Sequence, residues 1–437
     1  MYSRFVYLLY QILGIYIFYF SLFNNLIYIA ILGGILKITQ LLLMVVCLFH
    51  RRKAIYPNNA NRLTLILFYV YLTIVGIMSI PFSTSDGFKL LLQFYYFPLY
   101  VYVFLNFRSL TKRSYYEYFG YLVKVACVFV ITNIFLYFYE LPIWFTYQPW
   151  FGRITNGYPT TDVVCLCYAF LIVCFVERIS INNVERTVYT VLLLIGIITQ
   201  FSGTGMVISI TIIGAFLFCL FKEKSVSLKR NIERSIIVVL IIASSGYGLL
   251  YSQEPQLANK AMSVITTKIG YFIGGSHIQT EWDGVSYNDD TMEIRDDQYE
   301  KCKDRYLKSP LNYLFGVSFK NATIDGDKRH DTQNIFIEHQ FGFNLVTIGY
   351  LGYILFLLFI CSPLHKWIVY YKSKDVFILV MGILSVLIFI FSSKTTITLI
   401  SPQIEIVFAM FYSILLFPMC FSNISRNSNI TVSKIKK

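Results

Sequence analysis

The chain predicts an all-α polytopic integral membrane protein of about twelve transmembrane helices with one large extracytoplasmic loop. Three observations predict it. Hydrophobic residues make up 56% of the 437 residues and charged residues only 14%, too few charges to cover a water-soluble domain of this size. Apolar stretches of roughly 16–24 residues recur along the chain, near the length a helix needs to cross the hydrocarbon of a bilayer. Lys and Arg gather on alternate connections between those stretches, as the positive-inside rule requires.

Taken in order, the expected spans are 5–23, 26–49, 63–80, 90–106, 120–139, 161–176, 187–201, 204–221, 236–251, 343–361, 375–392 and 404–421. Arg4 precedes the first run and no small-residue cleavage site follows, so this run reads as a membrane helix rather than a removed signal peptide. The run from Val188 to Phe221 is too long for one helix, and Ser202-Gly203-Thr204-Gly205 breaks it into a hairpin. Lys37 falls inside the second span; Lys124 lies near the cytoplasmic end of the fifth, where it can snorkel. One set of alternate connections, with both chain ends, holds 22 of the 37 Lys and Arg residues, whereas the short connections on the other side hold Lys89, Arg153 and Lys394. Both termini are therefore expected in the cytoplasm. The asymmetry accounts for the net charge of +13 without a nucleic-acid partner. The chain divides into N-terminal spans over 1–251, an extracytoplasmic loop over 252–341, and C-terminal spans with a cytoplasmic tail over 342–437.

Other chemistries leave no trace in the sequence. The nine cysteines sit almost all in or beside apolar runs. Cys165 and Cys167, two residues apart, fall on different helix faces and read as packing rather than a metal pair. There is no glycine-rich nucleotide loop, no clustered Cys and His ligands and no serine–histidine triad spacing. An enzyme built this way would use no nucleotide, no metal and no cofactor, so its energy must arrive in an activated lipid substrate.

The loop segment carries the candidate chemistry, with ten Lys or Arg against fourteen Asp or Glu. Within it, "NDDTMEIRDDQYEKCKDRYLKSP" predicts an amphipathic helix. Asp290 and Glu293 have capping-box spacing, Met292, Tyr299, Cys302 and Tyr306 form an apolar stripe, and Ser309-Pro310 is the stop. Arg295 and Arg305 lie on different faces of that helix, about 15 Å apart along its axis. A solvated helix with local ion pairs, such as Arg295 with Glu293, is one reading of the pattern. Farther on, Arg329-His330-Asp331 leads into Asn334 and a long apolar run. Were residues 332–342 helical, Asn334 and Glu338 would share a face with the His330 turn, Ile335, Phe336, Phe341 and Phe343 would dip into lipid, and His339 would point elsewhere. His330 is either a surface residue or a base. Arg153, beside Trp144 and Trp150, is either an interface anchor or an anion contact. The Ser202–Gly205 turn is either a tight reversal or a source of backbone N–H groups for an anion.

The layout resembles the O-antigen polymerase and O-antigen ligase superfamily of bacterial surface-polysaccharide assembly. The likeness rests on many spans with cytoplasmic ends and one large outer loop in the C-terminal half. Within that loop it rests on Arg295 followed by Pro310 and "LFGVSF", Arg305 followed by Gly316, and "RHDTQNIFIEHQFGFNLVTIGYLG" running into a span. Ligases of this kind show His-Asn or His-Ser directly before the apolar run, with a glycine about eleven residues on. Here His330-Asp331 stands in that place, followed by Gly342, Gly349 and Gly352, which favours a polymerase. The resemblance implies a metal- and cofactor-independent membrane glycosyltransferase at the outer face of the bacterial cytoplasmic membrane. It would join undecaprenyl-diphosphate-linked repeat units, as donor and acceptor, into O-antigen or capsular polysaccharide. A chain-length regulator and a flippase would be its partners. Its catalytic residues would be His330 as base with Arg295 and Arg153 on the diphosphate; Arg305, Arg329, Asp331 and Glu338 would bind substrate. The alternatives are a ligase moving finished polysaccharide to an acceptor and a non-catalytic flippase, which would need cations lining a central cavity.

Overall fold

The computed structural model describes residues 2–25, 30–49, 59–79, 85–138, 159–176, 181–200, 202–222, 280–282, 285–287, 291–323, 334–372, 374–394 and 401–418, together with isolated positions at 179, between 237 and 266, and at 396 and 398. The described chain is almost entirely helical. Its helices are α1 (Tyr2–Asn25), α2 (Ala30–Phe49), α3 (Asn59–Ser79), α4 (Ser85–Phe94), α5 (Tyr96–Leu105), α6 (Phe107–Thr111), α7 (Tyr115–Phe138), α8 (Pro159–Phe175), α9 (Asn183–Thr199) and α10 (Gly203–Lys222). The loop segment contributes a short antiparallel hairpin, β1 (Thr280–Trp282) with β2 (Val285–Tyr287), in which Thr280 faces Tyr287. Then come α11 (Thr291–Tyr306), α12 (Pro310–Phe315), α13 (Gln340–Tyr371), α14 (Val376–Ser392) and α15 (Pro402–Leu416).

Two helices form the axis of the bundle. Every residue from 161 to 175 on α8 and from 403 to 416 on α15 is buried, as expected of helices that are apolar on most of their surface; Asp162, Gln403 and Glu405 are among the buried polar residues. Helices α9, α10 and α14 pack on α8; α5 packs on α15; α1 joins α2, α7 and α15; and α13 lies along α3. The outer helices are inverted relative to a water-soluble fold. On α3, Phe68, Leu72 and Val75 face inward, while Leu63, Ile66, Val70, Ile74 and Ile77 are exposed at three- and four-residue steps. Apolar stripes of this length need lipid or a partner to cover them. Among the described residues, Gly87–Leu105 (through α4 and α5), Tyr115–Leu136 and Gln340–Tyr371 are long and apolar enough to cross a membrane, and several shorter apolar helices accompany them. These are features of a membrane protein.

The expected break between α9 and α10 falls just ahead of the glycines: α9 ends at Thr199, and Gly203–Gly205 form the first turn of α10. Gly205 there backs onto Val163 of α8, where a Cβ would overlap the valine side chain. One connection is corrected. Residues 362–371, read from sequence as part of a charged cytoplasmic link, continue α13 through Pro363 to Tyr371. The cause is Trp367, fully buried, whose Nε1 donates to Ile378 O at 3.1 Å and Leu379 O at 3.2 Å. Gly382 of α14 leaves room for the indole. Asp375 then caps α14 by accepting from Ile378 N–H.

Helix α13 is not continuous. At Gly349 the backbone leaves helical geometry with φ +68°. A strap from the loop segment enters at that point. Val317 N–H donates to Val346 O at 2.9 Å, Ser318 N–H donates to Thr347 O at 2.8 Å, and the Tyr71 hydroxyl of α3 donates to Ile348 O at 2.7 Å. The strap's own Gly316 has φ +76°. A Cβ on Gly316 would overlap Thr347 O and lie 2.6 Å from Gly349 N; one on Gly349 would lie 2.5 Å from Leu314 O. Both sites thus demand a residue without a side chain, for space and for backbone conformation. Gly316→Ala and Gly349→Ala should each lower stability by at least about 1–3 kcal/mol, the cost of holding a non-glycine residue in strained backbone. Gly214→Ala on α10, where a Cβ meets nothing within 4 Å, should not lower stability. Thermal unfolding of the three purified variants in one detergent checks both statements.

Candidate functional site

The site is built where α11 meets the start of α13. Arg295 lies on α11 between Met292 and Tyr299, at the same three- and four-residue steps as Cys302 and Tyr306, so it belongs to the inward face rather than the solvated one. Cys302 and Gln298 are buried and Tyr299 is half-buried. The far end of α11 is secured by Asn312, whose Nδ2 donates to Tyr306 O at 2.8 Å. The helix ends at Tyr306, ahead of the expected Ser309-Pro310 stop, and Ser309 also caps α12 by accepting from Asn312 N–H.

Residues 334–339 are not helical, contrary to the helix considered over 332–342. Ile335 forms a parallel bridge with Ala322, its N–H donating to Asn321 O at 2.7 Å. The apolar side chains there have a protein interior to fill: Ile335 and Phe343 are buried in the core rather than placed in lipid, whereas Phe341 is exposed. The chain is helical from Gln340, whose N–H donates to Ser393 O at 2.9 Å and Thr396 O at 3.2 Å in the turn after α14.

This geometry brings Glu338 to Arg295. The guanidinium Nε meets Glu338 Oε2 at 3.3 Å, with the arginine side chain 13% and the glutamate 28% exposed. Glu338 N–H is held by Gln298 Oε1 at 3.3 Å. The side chain of Glu293, expected as a local partner of Arg295, lies outside the described residues. His339, expected to point away, sits in the same cluster. It is 7% exposed and is the N-cap of α13: its Nδ1 accepts from Gly342 N–H at 2.9 Å. The imidazole fits only because position 342 is glycine, where a Cβ would lie 2.5 Å from His339 Cε1 and 2.9 Å from Tyr299 Cδ2.

A ring nitrogen that accepts a hydrogen bond leaves the proton on the other nitrogen. His339 is therefore neutral with hydrogen on Nε2, and that atom is buried with no hydrogen-bond partner among the described residues. Burial, reinforced by the positive charges of Arg295 and Lys394, brings its pKa down to about 4. The cluster thus offers a half-sunk guanidinium and a buried N–H donor lacking an acceptor. Both are suited to an oxyanion.

The other expected site residues are placed as follows. Arg305 is on the outer face of α11, exposed, with its guanidinium 5.7 Å from the Tyr306 ring. Arg153, Arg329, His330 and Asp331 lie outside the described residues. His339, Gln298 and Lys394 were not singled out as site residues from sequence. His339 had a usable signal: it directly precedes the long apolar run, three residues before Gly342 and ten before Gly349. Among the described residues no group of His, Cys, Asp and Glu is arranged to hold a metal ion. No protein-family model matches the chain, and no curated protein matches it in sequence.

The depressed pKa of His339 has a consequence for stability. Unfolded, the imidazole takes up a proton near its ordinary value of 6.5; folded, it does so only near 4. Stability is therefore full above pH 6.5 and falls as pH drops from 6.5 towards 4, by up to about 3 kcal/mol. His339→Asn keeps a capping side chain but has nothing to titrate. Melting curves between pH 7.5 and 4.5 should show a shallower loss of stability for this variant than for the wild type.

Proposed function

We propose that the protein polymerises lipid-linked oligosaccharide repeat units, carried on undecaprenyl diphosphate, into O-antigen or capsular polysaccharide at the outer face of a bacterial cytoplasmic membrane. In this reading the chain crosses the membrane about twelve times with both termini in the cytoplasm. The segment 252–341 is periplasmic and acts alongside a flippase and a chain-length regulator. The observation that carries it is the Arg295–Glu338–His339 cluster at the mouth of the longest apolar helix. When a sugar–diphosphate bond breaks, negative charge grows on the leaving diphosphate. A permanently charged planar guanidinium and a fixed N–H donor stabilise that charge without the help of a metal. A lipid tail would hold the diphosphate at the depth where a polar segment meets an apolar helix. His330, Arg153, Arg305, Arg329 and Asp331 remain candidates for the acceptor side, with a histidine or carboxylate taking the hydroxyl proton.

One observation favours the ligase reading. His339 directly precedes the apolar run, with Gly349 ten residues on, close to the ligase pattern that His330 does not fit. Gln340 in place of the following Asn or Ser is the departure.

Arg295→Lys and Arg295→Ala should slow chain growth by about 10²–10³-fold, the usual loss for one transition-state anion contact, with unchanged protein in the membrane fraction. Gel analysis of surface glycan should then show single repeat units on the final acceptor. Full-length chains left on the lipid carrier would indicate the ligase, and normal attached chains would remove Arg295 from the reaction.

A further inference from the structure

Helix α12 is built inside out. None of its six residues, Pro310–Phe315, is buried. Leu311 is 66% exposed, and Leu314 and Phe315 are exposed beside it. The polar residue faces the protein instead: Asn312 Nδ2 donates to Tyr306 O at 2.8 Å. A helix on a water-soluble domain turns its apolar residues to the core and its polar ones outward; α12 does the reverse. A segment in hydrocarbon must also settle its backbone polar groups within the protein, and α12 does so at both ends. At the start, Asn312 N–H donates to Ser309 Oγ at 3.2 Å. At the finish, Gly316 N–H donates to Asn312 O at 2.8 Å and the Tyr71 hydroxyl donates to Phe315 O at 3.1 Å. The next two N–H groups, of Val317 and Ser318, go to α13.

The neighbours of this face identify what covers it. Phe315 docks on Tyr71, which stands in the row Leu67, Tyr71, Ile74 and Met78 of α3; Leu67, Ile74 and Met78 are all exposed. Met78 lies about 10 Å beyond Tyr71 along the helix axis, so the outward apolar surface of α3 extends past α12 on both sides. On the other flank the Tyr313 ring lies 6.4 Å from that of Tyr350. Tyr350 begins the row Tyr350, Ile354 and Leu358, exposed at four-residue steps along α13, a helix long and apolar enough to cross a membrane. The patch on α12 is therefore continuous with the apolar stripes of two helices. Charge stops short of it: Asp304, Arg305 and Lys308 are exposed on the approach, and α12 itself carries no charged residue.

We propose that α12 dips into the bilayer, with Leu311, Leu314 and Phe315 against lipid acyl chains where the loop segment joins the apolar body. Lys308 then stands at the level of the headgroups, and the apolar side chains lie roughly 5–10 Å deep, the usual immersion of a helix at this boundary. Because Asn312 also holds the end of α11, the lipid contact fixes α11 against the membrane surface. Lipid contact at α12 is independent of the reaction proposed for the site.

The test is tryptophan fluorescence of the full-length protein in lipid nanodiscs, with two quenchers: lipid brominated midway along one acyl chain, and aqueous iodide. Leu311→Trp and Phe315→Trp place the probe on the patch, and the wild-type signal, from four tryptophans, is subtracted. Leu358→Trp on α13 is the lipid reference and Asp304→Trp on α11 the water reference. The added emission of both patch variants should be quenched by brominated lipid about as strongly as that of Leu358→Trp, and by iodide severalfold less than that of Asp304→Trp. Leu314→Trp takes the place of either variant that folds poorly. Iodide quenching equal to that of Asp304→Trp, with none by brominated lipid, would put the patch in water and overturn the proposal. Protection from both quenchers would overturn it as well, since protein would then cover the patch.

Discussion

A helix interrupted inside an apolar bundle has to hand its carbonyl groups to new donors, because no water is present to take them. In this protein that requirement falls on Val346, Thr347 and Ile348, ahead of the break at Gly349. It is met by two backbone N–H groups of the loop strap and by the Tyr71 hydroxyl. The contact works only because glycine stands on both sides of it. Tyr71 also donates to Phe315 O at 3.1 Å, so α3, α12 and α13 meet at one hydroxyl. This junction ties the polar segment to the apolar body: it sets α12, Asn312 of α12 sets the end of α11, and α11 carries Arg295.

The site follows from that chain of contacts. Arg295 is neither on the surface, where water would screen it, nor so deep that its charge would be prohibitive. It reaches the opening of α13 together with Glu338, while His339 caps the helix and presents its remaining N–H inward. A cation and an unmet donor next to a long apolar helix have a simple chemical complement, an amphiphile with an anionic head. In the proposed function that complement is the lipid-linked diphosphate.

Much of the fold was legible because lipid imposes a coarse rule. Apolar stretches one bilayer long became helices where the chain is described, and the run from Val188 to Phe221 divides into two helices just ahead of Gly203. The α13–α14 link misled because charge was taken to mean solvent. Ser362–Tyr371 carries His365 and Lys366, yet a single buried tryptophan keeps it helical. In the site, Arg295 was a candidate from its residue type, and its position within the apolar stripe already pointed it inward. Glu338 could not be named as its partner because spacing along a helix reports only local neighbours. His339 was passed over because a helix starting before it would have turned it away; the helix begins one residue after it.

By itself the sequence determined which segments are helices in an apolar setting and that the polar segment contains a stripe-bearing helix. It could do so because periodicity, length and residue size act between near neighbours. Only the tertiary structure decided that Gly316 and Gly349 face each other, that Glu338 meets Arg295, and that His339 is a neutral donor. Each of these depends on elements distant in sequence coming within a few ångströms. That approach is governed by packing and by the need to satisfy buried backbone groups, neither of which is written in any single stretch of the chain.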